Sequence, residues 1–262
     1  MYIVWVMVYV IIINIYIVVL DVENQKKKLL LKIKKLLLKQ LENLLLFSKS
    51  IVMNNYCIVD GYEIRTNPRH YNDKNEEDKY QKEVYIYASN VMEKYDFKNV
   101  VDVGCGSGFK LIKYLGNYDT IGVETEPCYT FLKNKYPTKK WLLSGKKETS
   151  FSNEPIVVGG GVDLVICSDV IEHIIDPDEL IKYLISLNAL HYIISTPCRQ
   201  RLLDLKRFRS AKPLGPPTNK GHVREWTMSE FKEYISKSFN ILESYYGEKQ
   251  KECQFHLLKL KQ

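Results

Sequence analysis

The turn at residues 104–108 constrains the fold of this chain more than any other feature. It reads Gly-Cys-Gly-Ser-Gly and follows the mostly apolar run of residues 99–103, which contains Asp102. Glycine lets the backbone adopt positive φ angles and come close to a ligand. The apolar spacing from Phe109 onward predicts a helix, whose first N–H groups have no partner within the helix. A strand, a glycine-rich turn and a helix in this order are the building unit of α/β sheets.

Further strands and helices alternate along the rest of the chain. Short apolar and β-branched runs predict seven strands, at residues 99–103, 120–124, 141–143, 162–167, 191–195, 240–245 and 253–259. Apolar residues at helical spacing predict helices at residues 76–95, 109–115 and 127–134. Capping sequences at residues 176–179 and 227–230 predict the start of two more. We therefore predict a Rossmann-like, doubly wound α/β fold. Its mostly parallel, seven-stranded sheet ends in an antiparallel edge hairpin made by the last two strands.

The N-terminal residues differ in composition from the rest of the chain. Residues 1–20 carry no charged side chain and predict a hydrophobic helix long enough to span a bilayer. Residues 26–47 have the pattern of a basic amphipathic helix suited to an anionic membrane surface. By the positive-inside rule, these lysines would place the following domain in the cytoplasm. Because Met53 is an alternative start, residues 1–52 are interpreted either as a membrane anchor or as a non-native extension.

The remaining residues divide into a linker and one domain. Residues 53–75 have the composition of a polar linker, and residues 76–262 contain all the predicted strands. The formal net charge of the chain is +7, but residues 21–50 contain eight lysines and only three acids. Residues 53–262 therefore carry a net charge of only +2. A domain so close to neutral gives no electrostatic reason to favour nucleic acid as a partner.

Two carboxylates accompany the glycine turn. A dinucleotide-binding turn has the spacing G-x-G-x-x-G, with the pyrophosphate at the helix N-terminus. Here the third glycine comes one residue earlier, and Asp102 stands two residues before Gly104. A carboxylate at that place suits a cationic amine and disfavours a phosphate. Glu124 ends the second predicted strand, where it can accept hydrogen bonds from both ribose hydroxyls.

Three stretches of the chain resemble a known family. The sequence VVDVGCGSG resembles motif I of the class I S-adenosylmethionine-dependent methyltransferases. The sequence DLVICSDVIEHIIDPDEL resembles the fourth-strand region of the branch that includes ubiquinone-pathway O-methyltransferases. Residues 215–231 resemble a tail found in glycan-associated methyltransferases. The resemblance covers residues from about 76 to the end and implies S-adenosyl-L-methionine as the cofactor.

The resemblance also implies roles for individual residues. The motif and the strand ends would supply the cofactor-binding residues Asp102, Gly104, Cys105, Gly106, Gly108, Glu124, Ser168 and Asp169. Within this set Glu124 would bind the ribose, and Asp169 would lie beside the transferred methyl group. The third-strand acid that usually reaches the adenine has no obvious counterpart, since Ser144 and its neighbours stand in that region.

The candidate catalytic residues are His173, His222 and Asp169. Methyl transfer from a sulfonium needs a base only when the acceptor is a hydroxyl that must lose its proton. Each histidine has a second interpretation, in which it only hydrogen-bonds a loop or a helix end. We expect no metal ion, with Asp169, Glu172 and His173 as an alternative metal-binding set because their spacing lets them converge on one divalent ion.

We expect a small-molecule or glycan acceptor, methylated on oxygen. The alternatives are an RNA or protein methyltransferase and an inactive, membrane-tethered cofactor-binding protein. The basic residues of the predicted insertion at 198–221 would either meet an anionic acceptor or form a solvated face. Trp226 would either stack on a sugar or belong to the core. The sequence predicts nothing about the oligomeric state.

Overall fold

The computed structural model describes residues 55–69, 73–144, 161–205 and 212–261. The chain divides into two compact units, Met1–Asn54 and Asn55–Gln262, and the second of these contains all the described residues. The hydrophobic and amphipathic helices predicted at residues 1–47 lie outside them. Within the described part, no helix combines the length and the apolar character that crossing a membrane requires.

A single sheet of seven strands organises the unit that begins at Asn55. The strands are β1 Asn99–Val103, β2 Asp119–Glu124, β3 Lys140–Leu143, β4 Val162–Ser168, β5 Ala189–Pro197, β6 Phe239–Tyr246 and β7 Cys253–Leu260. Their order is β3-β2-β1-β4-β5-β7-β6. The first five are parallel, and β7 lies antiparallel between β5 and β6. The predicted Rossmann-like α/β fold with an antiparallel edge hairpin is confirmed.

Helices connect the strands and cover the sheet. The α-helices are α1 Lys82–Lys94, α2 Phe109–Leu115, α3 Cys128–Lys135, α4 Pro177–Ser186, α5 Arg199–Asp204 and α6 Met228–Ile235, with a short 3-10 helix at Ile171–His173. Both predicted capping sequences begin helices. The Asp176 side chain accepts a hydrogen bond from Asp178 N, and Thr227 forms a reciprocal capping box with Glu230. Because β1 and β4 are covered on both faces, they consist almost wholly of buried residues.

The first and fifth helices differ from the sequence interpretation. Helix α1 begins at Lys82, not near residue 76, because Gln81 has a left-handed backbone (φ 57°) that interrupts helical geometry. The residues before it lie against α2 instead, where Asp78 accepts hydrogen bonds from Lys113 Nζ and Tyr114 Oη. Helix α5 lies inside the region expected to be an insertion loop. Its first residue, Arg199, is buried and hydrogen-bonds Glu230.

Residues 55–69, interpreted as linker from their composition, pack against the rest of the unit. Tyr56 is buried, and its carbonyl accepts a hydrogen bond from Trp226 Nε1 at 3.0 Å. Arg65 N and Arg69 N donate to the carbonyls of Val223 and Lys220. The folded unit therefore starts at about residue 55. Trp226, with no exposed surface, belongs to the core and does not face a sugar.

Candidate functional site

The glycine turn lies between β1 and α2, at the carboxyl end of the sheet. Gly106 has a φ of 56°, and a Cβ added there would lie 1.9 Å from Asp73 Oδ2. Gly104 has a φ of 76°, and its Cβ would lie 2.4 Å from Val170 Cγ2. Both positions therefore require glycine, for backbone conformation and for the close approach of neighbouring chain segments.

Asp102 lies beneath this turn with no exposed surface. Its Oδ2 accepts a hydrogen bond from Tyr85 Oη at 2.8 Å. Its Oδ1 has no hydrogen-bond partner among the described residues. Burial raises the pKa of Asp102 to about 7. The hydrogen bond from Tyr85 and the charge of Lys110 act on this pKa in the opposite direction, and a bound amine would add to them.

Glu124, at the end of β2, faces the same turn. Its Oε2 accepts a hydrogen bond from Gly106 N at 2.7 Å, and its Oε1 accepts one from Thr125 N at 2.7 Å. Burial raises the pKa of Glu124 to about 7. The sequence predicted Glu124 to lie beside the turn, because the carboxyl ends of neighbouring parallel strands meet. In the structure β1 and β2 are parallel neighbours, and Glu124 contacts the turn.

A cavity of about 140 Å³ opens between the turn and the ends of β2 and β4. Of the sequence-predicted residues, Gly104, Glu124, Ser168, Asp169 and His173 line it. The other cofactor-binding candidates lie beneath or beside it: Asp102, Cys105, Gly106 and Gly108. Cys105 packs into the hydrophobic core, and a Cβ on Gly108, which precedes α2, would meet Leu132 and Trp141.

The sequence interpretation missed several residues of this cavity, and three of them are charged. Asp73 and Arg69 come from the chain before α1, and Lys110 comes from α2. Asp73 belonged to the predicted linker, so nothing in the local pattern marked it. Ser144, at the place of the expected adenine-contacting acid, lines the cavity with an Oγ that has no hydrogen-bond partner in the described part of the chain.

The two buried carboxyl groups beneath the turn predict a pH-dependent stability. Asp102 and Glu124 have pKa values of about 7 when folded, against 3.8 and 4.5 as ordinary values. Between those limits the folded chain retains protons that the unfolded chain releases, so the free energy of unfolding should fall as pH rises from about 4 to about 8. Asp102→Asn removes one contribution. Its thermal unfolding midpoint should exceed that of the wild type near pH 8 and not near pH 4.

The control for this measurement is Glu77→Gln, which changes an exposed acid in the chain before α1. Its unfolding midpoint should follow that of the wild type at both pH values. An Asp102→Asn midpoint equal to or below the wild-type value near pH 8 would contradict the assigned direction of the pKa shift.

A second cavity, of about 420 Å³, adjoins the first. The two share the lining residues Gln81, Asp169 and His173. Asp169 follows β4 with a left-handed backbone (φ 54°), which turns its side chain toward this junction. Its Oδ1 accepts a hydrogen bond from Ser195 Oγ at 2.7 Å, and its Oδ2 accepts one from Gln81 Nε2 at 3.1 Å. Burial raises its pKa.

Glu172, His173 and His222 form a cluster in the wall of the second cavity. One donor atom from each lies within 4.8 Å of the others. Glu172 has no exposed surface, and its Oε2 accepts a hydrogen bond from Thr196 Oγ1 at 3.1 Å. Its Oε1 has no hydrogen-bond partner among the described residues. Asp169, a member of the alternative metal-binding set predicted from sequence, is not in this cluster, and His222 takes its place.

Contacts with the backbone and with a carboxylate orient the two imidazoles. His173 Nδ1 lies 2.9 Å from the Gly221 carbonyl, so this nitrogen donates, and Nε2 lies 3.9 Å from Glu172 Oε1. His222 Nδ1 lies 2.6 Å from Glu225 Oε1, and its Nε2 lies 2.9 Å from the Asn219 amide nitrogen. Both Nε2 atoms are therefore acceptors in the neutral tautomers. Glu225 was not predicted, although its spacing of three residues from His222 was visible.

The structure describes some of the basic residues of the predicted insertion at 198–221. Arg199 pairs with Glu230, and the guanidinium of Arg201 lies over the Tyr246 ring at 4.4 Å. Of the other basic residues of the run, those at positions 206–209 lie outside the described residues, and Lys212 and Lys220 are exposed. Arg224 is buried and donates to the carbonyls of Ile174 and Ile175. The buried arginines therefore stabilise the packing of the loops, and the exposed lysines fit the solvated face.

A Rossmann-like sheet of this order, with a glycine turn and two carboxylates at its carboxyl edge, defines a class I methyltransferase. A sequence model for a family described as 'methyltransferase domain' matches residues 75–238. The chain belongs to that family. No curated protein matches its sequence significantly.

Solved structures share the fold at low sequence identity. The small RNA methyltransferase HEN1 is 22% identical with a TM-score of 0.53, and the match covers 76% of this chain and 27% of that one. A protein from Pyrococcus horikoshii OT3 is 16% identical with a TM-score of 0.50, covering 73% of this chain and 95% of that one. Magnesium protoporphyrin IX methyltransferase from Synechocystis PCC 6803, solved with bound SAH, is 17% identical with a TM-score of 0.50, covering 69% and 84%. This chain thus spans about a quarter of the HEN1 chain.

Proposed function

We propose that this protein transfers the methyl group of S-adenosylmethionine to a hydroxyl of a small hydroxylated acceptor, such as a saccharide. One observation carries this proposal: two cavities meet at Gln81, Asp169 and His173. The first contains the glycine turn and Glu124, and the second contains the two histidines. A donor in one and an acceptor in the other would meet at the shared residues.

The first cavity suits the proposed cofactor. Asp102 Oδ1 is buried without a partner among the described residues and would accept a hydrogen bond from the methionyl ammonium. Glu124 already accepts two backbone N–H bonds and would turn toward the ribose hydroxyls. The Ser144 hydroxyl, also unpartnered in the described chain, would contact the adenine. The positive φ angles of Gly104 and Gly106 would let the backbone of the turn approach the methionyl chain closely.

The wall of the second cavity favours an acceptor without negative charge. Among the described residues that line it, four are carboxylates and none is lysine or arginine: Asp169, Glu172, Glu225 and Glu252. In the absence of a bound metal ion, a phosphate or an acidic sugar in this cavity would be repelled. Carboxylates and amides such as Asn219 and Gln250 are instead good partners for sugar hydroxyls.

The transfer itself is an in-line displacement at the methyl carbon. The acceptor oxygen forms the new bond to carbon, the bond from carbon to sulfur breaks, and the electron pair stays on sulfur. Because the sulfonium leaves as a neutral thioether, positioning of the two reactants supplies much of the rate. The acceptor hydroxyl also loses a proton, and the candidate bases are the Asp169 carboxylate at the junction of the cavities and the Nε2 atoms of His173 and His222.

The histidine cluster would also suit a divalent metal ion, which the sequence analysis kept as an alternative with Asp169 in the place of His222. Glu172 Oε1 is buried without a hydrogen bond in the described chain and lies 3.9 Å from His173 Nε2. Two imidazole nitrogens with one carboxylate oxygen are a common donor set for such ions. Glu172, His173 and His222 would hold the ion. It would act there as a Lewis acid that lowers the pKa of the acceptor hydroxyl. Glu225 and the Gly221 carbonyl would keep the imidazoles in the ligating tautomer.

A metal ion at this cluster should stabilise the protein against unfolding. Adding Mn²⁺ or Mg²⁺ to chelator-treated protein should raise the thermal unfolding midpoint, because the ion binds the folded state only. Glu172→Gln should remove most of that rise. The matched control is Glu252→Gln, which neutralises another carboxylate of the same cavity outside the cluster and should keep the rise. Two results would favour the histidines as bases without metal. One is an equal rise of the unfolding midpoint in the wild type, Glu172→Gln and Glu252→Gln, and the other is methyl transfer that survives prolonged chelation.

Labelled cofactor tests the acceptor class. The chain would be incubated with methyl-labelled S-adenosylmethionine and a cell extract separated into saccharide and small-molecule, RNA and protein fractions. We expect label in the first fraction, and none with Asp102→Asn. The structural neighbours include a small RNA methyltransferase and a magnesium protoporphyrin IX methyltransferase, so likeness alone does not select an acceptor. Label in RNA alone or protein alone would overturn the proposed class.

A further inference from the structure

We propose that Asp73 is a cofactor-binding residue that receives the α-ammonium group of the methionyl moiety. This inference rests on the proposed use of S-adenosylmethionine. It assigns a binding role to the chain segment before α1, which lies outside the strand–turn–helix unit. Asp73 would act together with Asp102, since an ammonium group has three donors and can bond two carboxylates.

The position of Asp73 supports this role. Its carboxylate lies directly over the second glycine of the turn, where a Cβ on Gly106 would come within 1.9 Å of Oδ2 and 2.3 Å of Oδ1. It lines the same cavity as Glu124 and Lys110. A ligand that lies along the glycine turn must therefore contact this carboxylate or displace it.

The electrostatics of the cavity point in the same direction. Asp73 and Glu124 line the cavity, and Asp102 lies beneath it; each of these carboxyl groups has its pKa raised first by burial. The Cys128 thiol lies 3.9 Å from Asp73 Oδ1 and is a weak hydrogen-bond donor, while Lys110 lowers the pKa of Asp73 against the effect of burial. A zwitterionic amino acid with an added sulfonium brings a net positive charge. Its carboxylate would face Lys110, the cation that lines the cavity from α2.

Backbone contacts hold Asp73 in this place. The Asp73 carbonyl accepts a hydrogen bond from Glu76 N at 2.7 Å, and the Glu76 carbonyl accepts one from Ser107 Oγ, within the glycine turn itself. Lys110 Nζ lies 3.4 Å from the Glu77 carbonyl. The segment is thus tied to the turn and to α2 by its main chain, so an asparagine at position 73 can keep the same path.

Titration calorimetry with three ligands tests the assignment. S-adenosylmethionine and S-adenosylhomocysteine both carry the ammonium group, whereas 5′-methylthioadenosine keeps the ribose and adenine and lacks the amino acid. For Asp73→Asn we expect affinity about tenfold lower for the first two ligands and unchanged for the third. Glu77→Gln, a carboxyl-to-amide change at an exposed position of the same segment, should leave all three affinities unchanged.

Each other outcome separates this inference from the proposed function. If the wild type binds none of the ligands, the proposed function fails. If the wild type binds S-adenosylmethionine and Asp73→Asn binds it equally well, the proposed function stands and the role of Asp73 is overturned. If the variant loses affinity for all three ligands alike, Asp73 contacts the nucleoside and the assignment to the ammonium is wrong. If Asp73→Asn binds S-adenosylmethionine more weakly and S-adenosylhomocysteine with unchanged affinity, Asp73 contacts the sulfonium, and the proposal is also overturned.

Discussion

Asp102→Asn is expected to lower the affinity for S-adenosylmethionine by about 100-fold or more. Asp102 has no exposed surface, and its Oδ1 has no partner among the described residues, so a bound ammonium would be its charged partner. Asparagine keeps the shape and an oxygen for the Tyr85 hydroxyl, but it loses the negative charge. Removing one member of a buried charged pair leaves the other uncompensated and is strongly unfavourable.

Titration calorimetry near pH 8 would measure this loss, since the raised pKa of Asp102 leaves the group ionised there. Asp119→Asn is the control, because Asp119 is an exposed acid at the start of β2 that pairs with Lys140. Its affinity should equal that of the wild type. Tight binding by Asp102→Asn, within about threefold of the wild type, would show that the acid beneath the turn does not hold the cofactor.

His222→Ala should lower methyl transfer by about 1000-fold while leaving the affinity for the cofactor within about twofold. His222 lines only the second cavity, and its Nε2 belongs to the donor cluster of Glu172 and His173. Its loss would remove either a metal ligand or the base for the acceptor hydroxyl. The first cavity, where the cofactor would bind, does not include this side chain.

Incorporation of label into the acceptor fraction measures the rate, and calorimetry measures the affinity. His191→Gln is the matched control, since His191 packs on Tyr95 and Phe97 near the start of β5, away from both cavities. Glu225→Gln should cause a smaller loss, because an amide orients the imidazole less strongly than a carboxylate. Retention of activity within about tenfold in His222→Ala, with unchanged folding, would remove this histidine from the chemistry.

Short-range patterns predicted much of the fold. The apolar runs and capping sequences depend on residues a few positions apart, and they located all seven strands and the helices α2, α3, α4 and α6 within a few residues. Helix ends were less well predicted. The apolar spacing continues before α1, but the left-handed backbone of Gln81 prevents the helix from starting earlier. The residue type does not specify that backbone angle. Arg199 starts an unpredicted helix because it pairs with Glu230 in α6.

The residues of the site also fall into two groups, those predicted from sequence and those that depend on tertiary contacts. Asp102 and Glu124 were found from sequence because parallel neighbouring strands end at one edge of a sheet. Asp73 was missed because the chain before α1 reaches the turn through contacts with Ser107, a residue distant in sequence. Residue type alone could not distinguish it from the other acids of the predicted linker.

The sequence by itself determined the α/β sheet, the glycine turn and the two carboxylates beside it, because these follow from local periodicity and from the rule that parallel strands share an edge. Only the tertiary structure decided which residues surround that turn. The pairing of His222 with Glu172 and His173, and of Trp226 with Tyr56, joins segments far apart in the chain. Such contacts depend on how the loops pack over the sheet, and that packing has no periodic signal in the sequence.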